Sequence, residues 1–302
     1  MPELPEVEHL RRSLDPWVVG GRFGRVSVRR RSVVSFASDK RRDDLDTALL
    51  ADATIVATHR RGKQMALEAS NGRVLVIQLG MTGSVTIERG SHPRGMESKH
   101  RHVLWNFTPA AHTLRAAGIE TASPWRLAFR DPRRFGGLTA YESLSDLQKV
   151  WATLGHDATN PCAALLRAAT EKSKRPIKSS LLDQAVIAGL GNIYADESLF
   201  GARIHPLRLC NSLTDKEFKQ LTSNIRRIIN AAIEAGGSTL RDYRDAFGQP
   251  GDAVQAHQVY GRAGLPCLAC GAILEGFQLG GRTTVACPRC QDLSTKPRDA
   301  IA

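Results

Sequence analysis

The opening residues, "MPELPEVE", put Pro2 directly behind Met1 and carry Glu3, Glu6 and Glu8. A small second residue permits removal of the initiator methionine, which would turn the Pro2 nitrogen from an amide into a free secondary amine. An α-amino group titrates at about pH 8, roughly two units below lysine, so near neutrality part of it can attack an aldehyde carbon. Attack on a sugar C1′ gives a Schiff base, with neighbouring carboxylates available to move protons at the base and the ring oxygen. Acids in the first turn of a helix also complement its dipole. That accounts for Glu6 and Glu8 and leaves the Pro2–Glu3 pair unexplained.

A second group is cysteine. Cys267 and Cys270 form one CxxC pair and Cys287 and Cys290 another, with sixteen residues between them. Each pair can offer two thiolates to one ion, and two pairs on facing turns complete a tetrahedron. A redox pair is the alternative for one CxxC; two at this spacing point to one structural zinc with no open position. Arg282 falls midway, where a hairpin between the pairs would hold it at its tip. Cys162 and Cys210 stand alone, so the six cysteines do not read as a disulfide framework, and a reducing, cytoplasmic compartment is expected.

A third group could bind phosphate. "AGLGNIY" places Gly189, Gly191 and Asn192 ahead of a helical stretch, where backbone N–H groups can meet an anion; a turn between helices explains it equally well. Just before it, "EKSKRPIKSS" carries Lys172, Lys174, Arg175 and Lys178, a charge run that could be plain solvated surface. Lys63, in "HRRGKQM", reads on sequence alone as an ordinary strand end. The balance of 42 Lys+Arg against 30 Asp+Glu, a net charge of +12, favours a nucleic-acid partner for these segments.

The elements that must position these residues divide the 302-residue chain. "RVLVIQLG" (73–80), "GSVTIERG" (83–90), "HVLWNF" and "WRLAFRDPRRFGGLTAY" read as strands, behind a helix that begins after Pro5 and ends near Pro16. From about residue 142 the pattern turns helical. "TDKEFKQLTSNIRRIINAAIEAGG" is the clearest helix, with a Thr214–Glu217 capping box, a face of Phe218, Leu221, Ile225, Ile228 and Ala232, and Gly236 as its stop. The expected class is α+β: an N-terminal β-sandwich with a helix (1–141), a helical domain (142–256), a zinc-finger hairpin (257–291) and a flexible tail (292–302). No apolar run reaches the ~18 residues of a membrane span, and no signal peptide is expected.

Together "PELPEVE", "RRGK", "LGMTGS", "DPRRFGG", "GLGNIYADESLF…IHP", "VYGR" and the CxxC…CxxC finger resemble, in this order and over nearly the whole chain, the formamidopyrimidine-DNA glycosylase family. The resemblance implies a helix–two-turn–helix fold for the middle domain, damaged double-stranded DNA in a cleft, and action as a bacterial, nucleoid-associated monomer. It implies that Pro2 is the Schiff-base nucleophile, Glu3 the general acid/base and Glu6 a supporting residue. Lys63 becomes a phosphate and proton-transfer lysine, and Arg282 acts in the second elimination. Met81, Arg133 and Phe135 would fill the gap left by the extruded base, with His100, Lys174, Lys178, Asn192 and Arg282 on the DNA backbone. The expected activity is excision of oxidised purines followed by β,δ-elimination. The alternatives are an oxidised-pyrimidine glycosylase of the Nei type and a non-catalytic zinc-ribbon DNA-binding relative. Residues 107–128 and 242–258 depart from the family's pattern.

Overall fold

A computed structural model describes residues 2–38, 44–90, 100–119, 124–240 and 243–293. Met1, residues 120–123 and 242 of the two departing segments, and the tail from residue 294 lie outside them. The chain forms two compact units, Met1–Ala152 with Ile233–Asp252, and Thr153–Ala232 with Ala253–Ala302.

The first unit opens with α1, Leu4–Val18. It starts before Pro5 and runs through Pro16, at both ends further than the prolines suggest. In the first turn a proline's missing N–H has no helical partner to lose. At the other end the buried row Leu4, Val7, Leu10, Leu14 and Val18 holds the last turn against the sheets. The strands are β1 (Arg22–Val28), β2 (Val34–Phe36), β3 (Ile55–Arg61), β4 (Gln64–Ala69), β5 (Val74–Gln78), β6 (Ser84–Arg89), β7 (Arg101–Thr108), β8 (Trp125–Arg130) and β9 (Gly137–Tyr141). Short helices α2 (Leu45–Ala48) and α3 (Ala111–Ala116) sit in connections, and α4 (Leu144–Trp151) follows β9.

These strands make a five-stranded sheet, β2-β9-β5-β4-β3, and a four-stranded sheet, β1-β7-β8-β6. One core joins them, rich in aromatics (Phe23, Trp105, Phe107, Trp125, Phe129). The unbroken apolar run of β5 has a structural cause. Leu75 and Ile77 face that core, while Val74 and Val76 face a second cluster closed by Leu147 of α4. β6, with Val85 and Ile87 inward, alternates as a one-sided strand should. The segment 107–128 is no simple hairpin, because α3 and the start of β8 lie within it.

The second unit contains a two-residue parallel ladder of β10 (His156–Asp157) and β11 (Ile187–Ala188), and helices α5 (Ala163–Thr170), α6 (Ile177–Leu181), α7 (Asn192–Gly201) and α8 (Asp215–Glu234), whose last two residues belong to the first unit. The antiparallel hairpin of β12 (Glu275–Leu279) and β13 (Arg282–Ala286) follows. The α8 capping box is present: Thr214 N–H donates to Glu217 Oε2 (2.8 Å) and Glu217 N–H to Thr214 Oγ1 (3.3 Å). On its inner face Ile229 is buried and Ile228 only half so, as a 3.6-residue period starting from Ile225 requires. Among the described residues, no helix is long and apolar enough to cross a membrane.

Candidate functional site

At the start of α1, Pro2 and Glu3 are buried. Glu3 is the N-cap and forms a capping box with Glu6; its N–H donates to Glu6 Oε2 at 2.7 Å. The other Glu6 oxygen accepts the Ser238 N–H at 2.6 Å. Gly237, at φ +78, admits this approach, since a Cβ there would lie 2.9 Å from the Glu6 carboxylate. Glu6 therefore braces the start of α1 against a loop.

Glu8 has a different employment. Its carboxylate accepts from Arg11 (2.9 Å), Arg12 (2.9 Å) and Arg60 (2.9 Å). Burial alone would raise its pKa, but the arginines outweigh burial and hold it down at about 2. Arg60 in turn donates to the Gly62 carbonyl (3.1 Å). Gly62, at φ +54, and Lys63 form the two-residue turn between β3 and β4. The Glu8–Arg60 bridge thus ties the start of α1 to the turn that carries Lys63.

Asp131 organises a second set. Its fully buried carboxylate accepts from Thr82 Oγ1 (2.6 Å), Arg133 N–H (3.2 Å) and Gly136 N–H (2.7 Å), and its own N–H donates to the His100 carbonyl (3.2 Å). The β5–β6 turn with Met81 is drawn against the β8–β9 turn with Arg133 and Phe135. At Gly80 and Gly136 the two backbones meet so closely that a Cβ on either would fall 2.4 Å from the opposite main chain. His100 takes φ +74. Met81 is 36% and Phe135 59% exposed, and the Arg133 guanidinium sits 5.0 Å from the Phe135 ring centre. Exposed apolar side chains on braced turns suit insertion into something.

The second unit collects Lys178, Asn192 and Arg282. Gly280 and Gly281, both at positive φ, form the turn of the β12–β13 hairpin, which leaves Arg282 exposed at the tip. The next residue, Thr283, accepts through its carbonyl from Asn192 Nδ2 (2.8 Å) and Lys178 Nζ (3.3 Å). Lys178 corrects the picture of an exposed basic run, for it is 0% exposed. Its ammonium lies 2.7 Å from Asp196 Oδ1 and donates to Thr284 Oγ1 at 2.8 Å. Burial pushes the Asp196 carboxyl up to about 7, against the pull of Lys178. Lys174 stays exposed in the loop ahead of α6, apart from this group.

The four cysteines converge as their spacing requires. Their sulfurs all lie within 4.8 Å of one another, with Cys267 and Cys290 4.0 Å apart and Cys270 and Cys287 3.5 Å apart. A tetrahedral ion with Zn–S bonds of about 2.3 Å needs sulfurs about 3.8 Å apart, so the set fits zinc. Leu274, Val285 and Phe200 of α7 pack around it. Glu197 accepts three backbone N–H groups, from Gln258, Val259 and Tyr260 (2.9, 2.9 and 2.8 Å), and so fastens the segment leading to the finger.

Comparison with known proteins agrees with this layout. Residues 1–138 match the model of the formamidopyrimidine-DNA glycosylase N-terminal domain, 154–244 that of the formamidopyrimidine-DNA glycosylase H2TH domain, and 264–293 that of a zinc finger found in FPG and IleRS. A formamidopyrimidine-DNA glycosylase from Thermomicrobium roseum is 38% identical over 306 residues, covering 97% of this chain and 100% of the relative. The chain belongs to the formamidopyrimidine-DNA glycosylase family. Among solved members, a Lactococcus lactis FPG mutant complexed with Fapy-dG-containing DNA superimposes with a TM-score of 0.82 at 31% identity, covering 96% of this chain and 100% of that one. A MutM in complex with carbocyclic 8-oxo-G-containing DNA gives 0.81 at 30% identity, with the same coverage. The α+β class, the N-terminal sandwich, the H2TH domain and the finger expected from sequence are all present in this family's fold.

Three supporting residues carry no signal in the sequence: Asp131, Asp196 and Glu197. Only their burial reveals that each holds backbone or a lysine.

Proposed function

We propose that the chain is a bifunctional DNA glycosylase and AP lyase of base excision repair, acting as a cytoplasmic monomer on oxidised purines such as 8-oxoguanine and formamidopyrimidines. One observation carries this: Pro2 and Glu3 are buried together at the N-terminus of α1, where Glu6 accepts the Glu3 and Ser238 N–H groups and holds the pair in place. With Met1 removed, the Pro2 nitrogen attacks C1′ and the bond from C1′ to the base breaks, the base leaving with a proton. The C1′–O4′ bond then opens with Glu3 protonating O4′, and the nitrogen lone pair forms the iminium. Loss of a C2′ proton expels the 3′ phosphate, and loss of a C4′ proton the 5′ phosphate.

Lys63 serves a phosphate and proton transfer, and Arg282 the second elimination. Met81, Arg133 and Phe135 occupy the gap that an extruded base leaves. His100, Lys174 and Asn192 contact the backbone, whereas Lys178 acts from the interior. One zinc on the four cysteines holds the finger and takes no part in the reaction. The purine preference is supported by the Fapy-dG and 8-oxo-G ligands of the solved relatives.

The test is incubation of purified protein with duplexes carrying 8-oxoguanine or thymine glycol, followed by strand-cleavage analysis. Faster cleavage at 8-oxoguanine is expected. Faster cleavage at thymine glycol would favour the Nei-type alternative, and binding without cleavage the non-catalytic one.

A further inference from the structure

The four-stranded sheet has a face turned away from the sandwich core. On it β1 carries Arg25 and Ser27, β7 Leu104 and Asn106, and β8 Arg126, with Arg29 just beyond β1. These residues line a groove of about 410 Å³. No carboxylate is among its lining residues, and the nearby Glu88 is already bonded to Arg101 at 2.8 Å. Arg25 is exposed and Arg126 half-buried. Neither makes a hydrogen bond or ion pair among the described residues. They lie on strands separated by one other, which sets their backbones about 10 Å apart. A fold that merely needed a solvated sheet face would be expected to intersperse acids there.

We propose that this groove binds the phosphate backbone of duplex DNA outside the lesion site, an inference that rests on the nucleic-acid reading above. Guanidinium forks match phosphate oxygens in pairs, and two unpaired ones across an open groove form a site for an anionic chain. The face itself selects among polyanions. A protein partner would be anchored by exposed apolar or aromatic side chains, and the large exposed apolar residues, such as Met81, Phe135 and Leu268, lie elsewhere. Single-stranded DNA would need an aromatic platform for its bases, and the groove lining has none. Duplex phosphates need only the cations.

The experiment compares the full-length protein with the double variant Arg25→Gln, Arg126→Gln on undamaged duplexes of about 12 and about 40 base pairs, across a salt series. On the long duplex the slope of log affinity against log salt should become shallower by about 2, since each neutralised phosphate contributes about 0.9. On the short duplex the slope should match the wild type, as should excision from a lesion-bearing duplex of the same length. The variant Arg25→Lys, Arg126→Lys, which keeps the charge, should restore the long-duplex slope and so separates loss of charge from loss of fold. An unchanged slope on the long duplex overturns the proposal, as does an equal change on the short one, which would assign these arginines to the lesion site. Loss of binding to polyglutamate with an unchanged duplex slope would assign the groove to an acidic protein and also overturn it. Wild-type excision is read separately, so a failure of the catalytic reading cannot be mistaken for a failure of the groove.

Discussion

Lys178 Nζ lies 2.7 Å from Asp196 Oδ1, and neither side chain has any exposed surface. The pair sits directly beneath Thr283 and Thr284, one residue inside Arg282, and Asp196 Oδ2 also accepts the Val285 N–H at 3.3 Å. A buried ion pair contributes little net stability over an apolar pair of equal shape, yet losing one partner strands a charge. Asp196→Ala should therefore cost about 3–5 kcal/mol, while Lys178→Met with Asp196→Leu should recover much of that loss. Chemical denaturation of the zinc-loaded protein measures both. If the single and double variants are equally stable, the pair is not coupled as its geometry requires.

Phe135, more exposed than Met81, belongs to the set proposed to fill the gap, and its Ala variant removes a stacking surface worth about 1–3 kcal/mol. Excision of a damaged base should slow by the corresponding factor of about five to 150. Cleavage at a pre-formed abasic site, where no base must be extruded, should change far less. Single-turnover rates on the two substrates make the comparison, and an equal loss on both would remove Phe135 from that role.

For the finger, elemental analysis should find one zinc per chain. Cys290→Ser should abolish tight zinc retention and weaken duplex binding, because metal binding here is folding energy. Zinc-free protein that binds and cuts DNA normally would contradict a structural metal. Cys162→Ser, at an exposed position outside the quartet, is the control and should change neither quantity.

Glu8 sets an acid limit on the first unit. Its pKa of about 2 in the folded chain lies below the unfolded value, so its contribution is complete above about pH 4.5 and is lost as pH falls towards 2. For a side chain this deeply buried, that amounts to about 2–3 kcal/mol. Wild-type stability should fall across that window, and Glu8→Gln should be less stable at neutral pH and flatter below it. Parallel pH profiles for the two proteins would show that Glu8 is not the group responsible.

Much of the candidate site's layout is legible because it depends on residue type at fixed spacing. The two CxxC pairs, the Pro2–Glu3 start and the glycine pair ahead of Arg282 carry their geometry in the chain itself. Lys178 shows where that ends: a basic run looks the same whether a lysine faces water or a buried Asp196 eighteen residues on. Asp131 is hidden for a similar reason, since His100, Thr82, and the Arg133–Gly136 turn come from three separate connecting segments. The α1 boundaries differ from those the prolines suggest because the buried stripe from Leu4 to Val18 outweighs the local effect of Pro16.

The last expectation concerns the opening residues. If the Pro2 nitrogen is the nucleophile, active protein must have lost Met1, since an amide nitrogen cannot form an iminium. Intact-mass measurement should show that loss. Borohydride added during reaction should trap a covalent protein–DNA adduct by reducing the iminium to an amine, and peptide mapping should place it on the peptide starting at Pro2. Glu3→Gln should depress base excision by several orders of magnitude while leaving appreciable cutting at an abasic site, where the opened sugar already offers its aldehyde. Glu6→Gln should be milder in chemistry but should loosen the terminus, because its 2.7 and 2.6 Å bonds to the Glu3 and Ser238 N–H groups lose their charge assistance. That difference separates the acid that reacts from the acid that holds it. An adduct mapped to Lys63 instead, with Pro2 unmodified, would transfer the nucleophile to the β3–β4 turn and leave the buried proline as no more than a helix start.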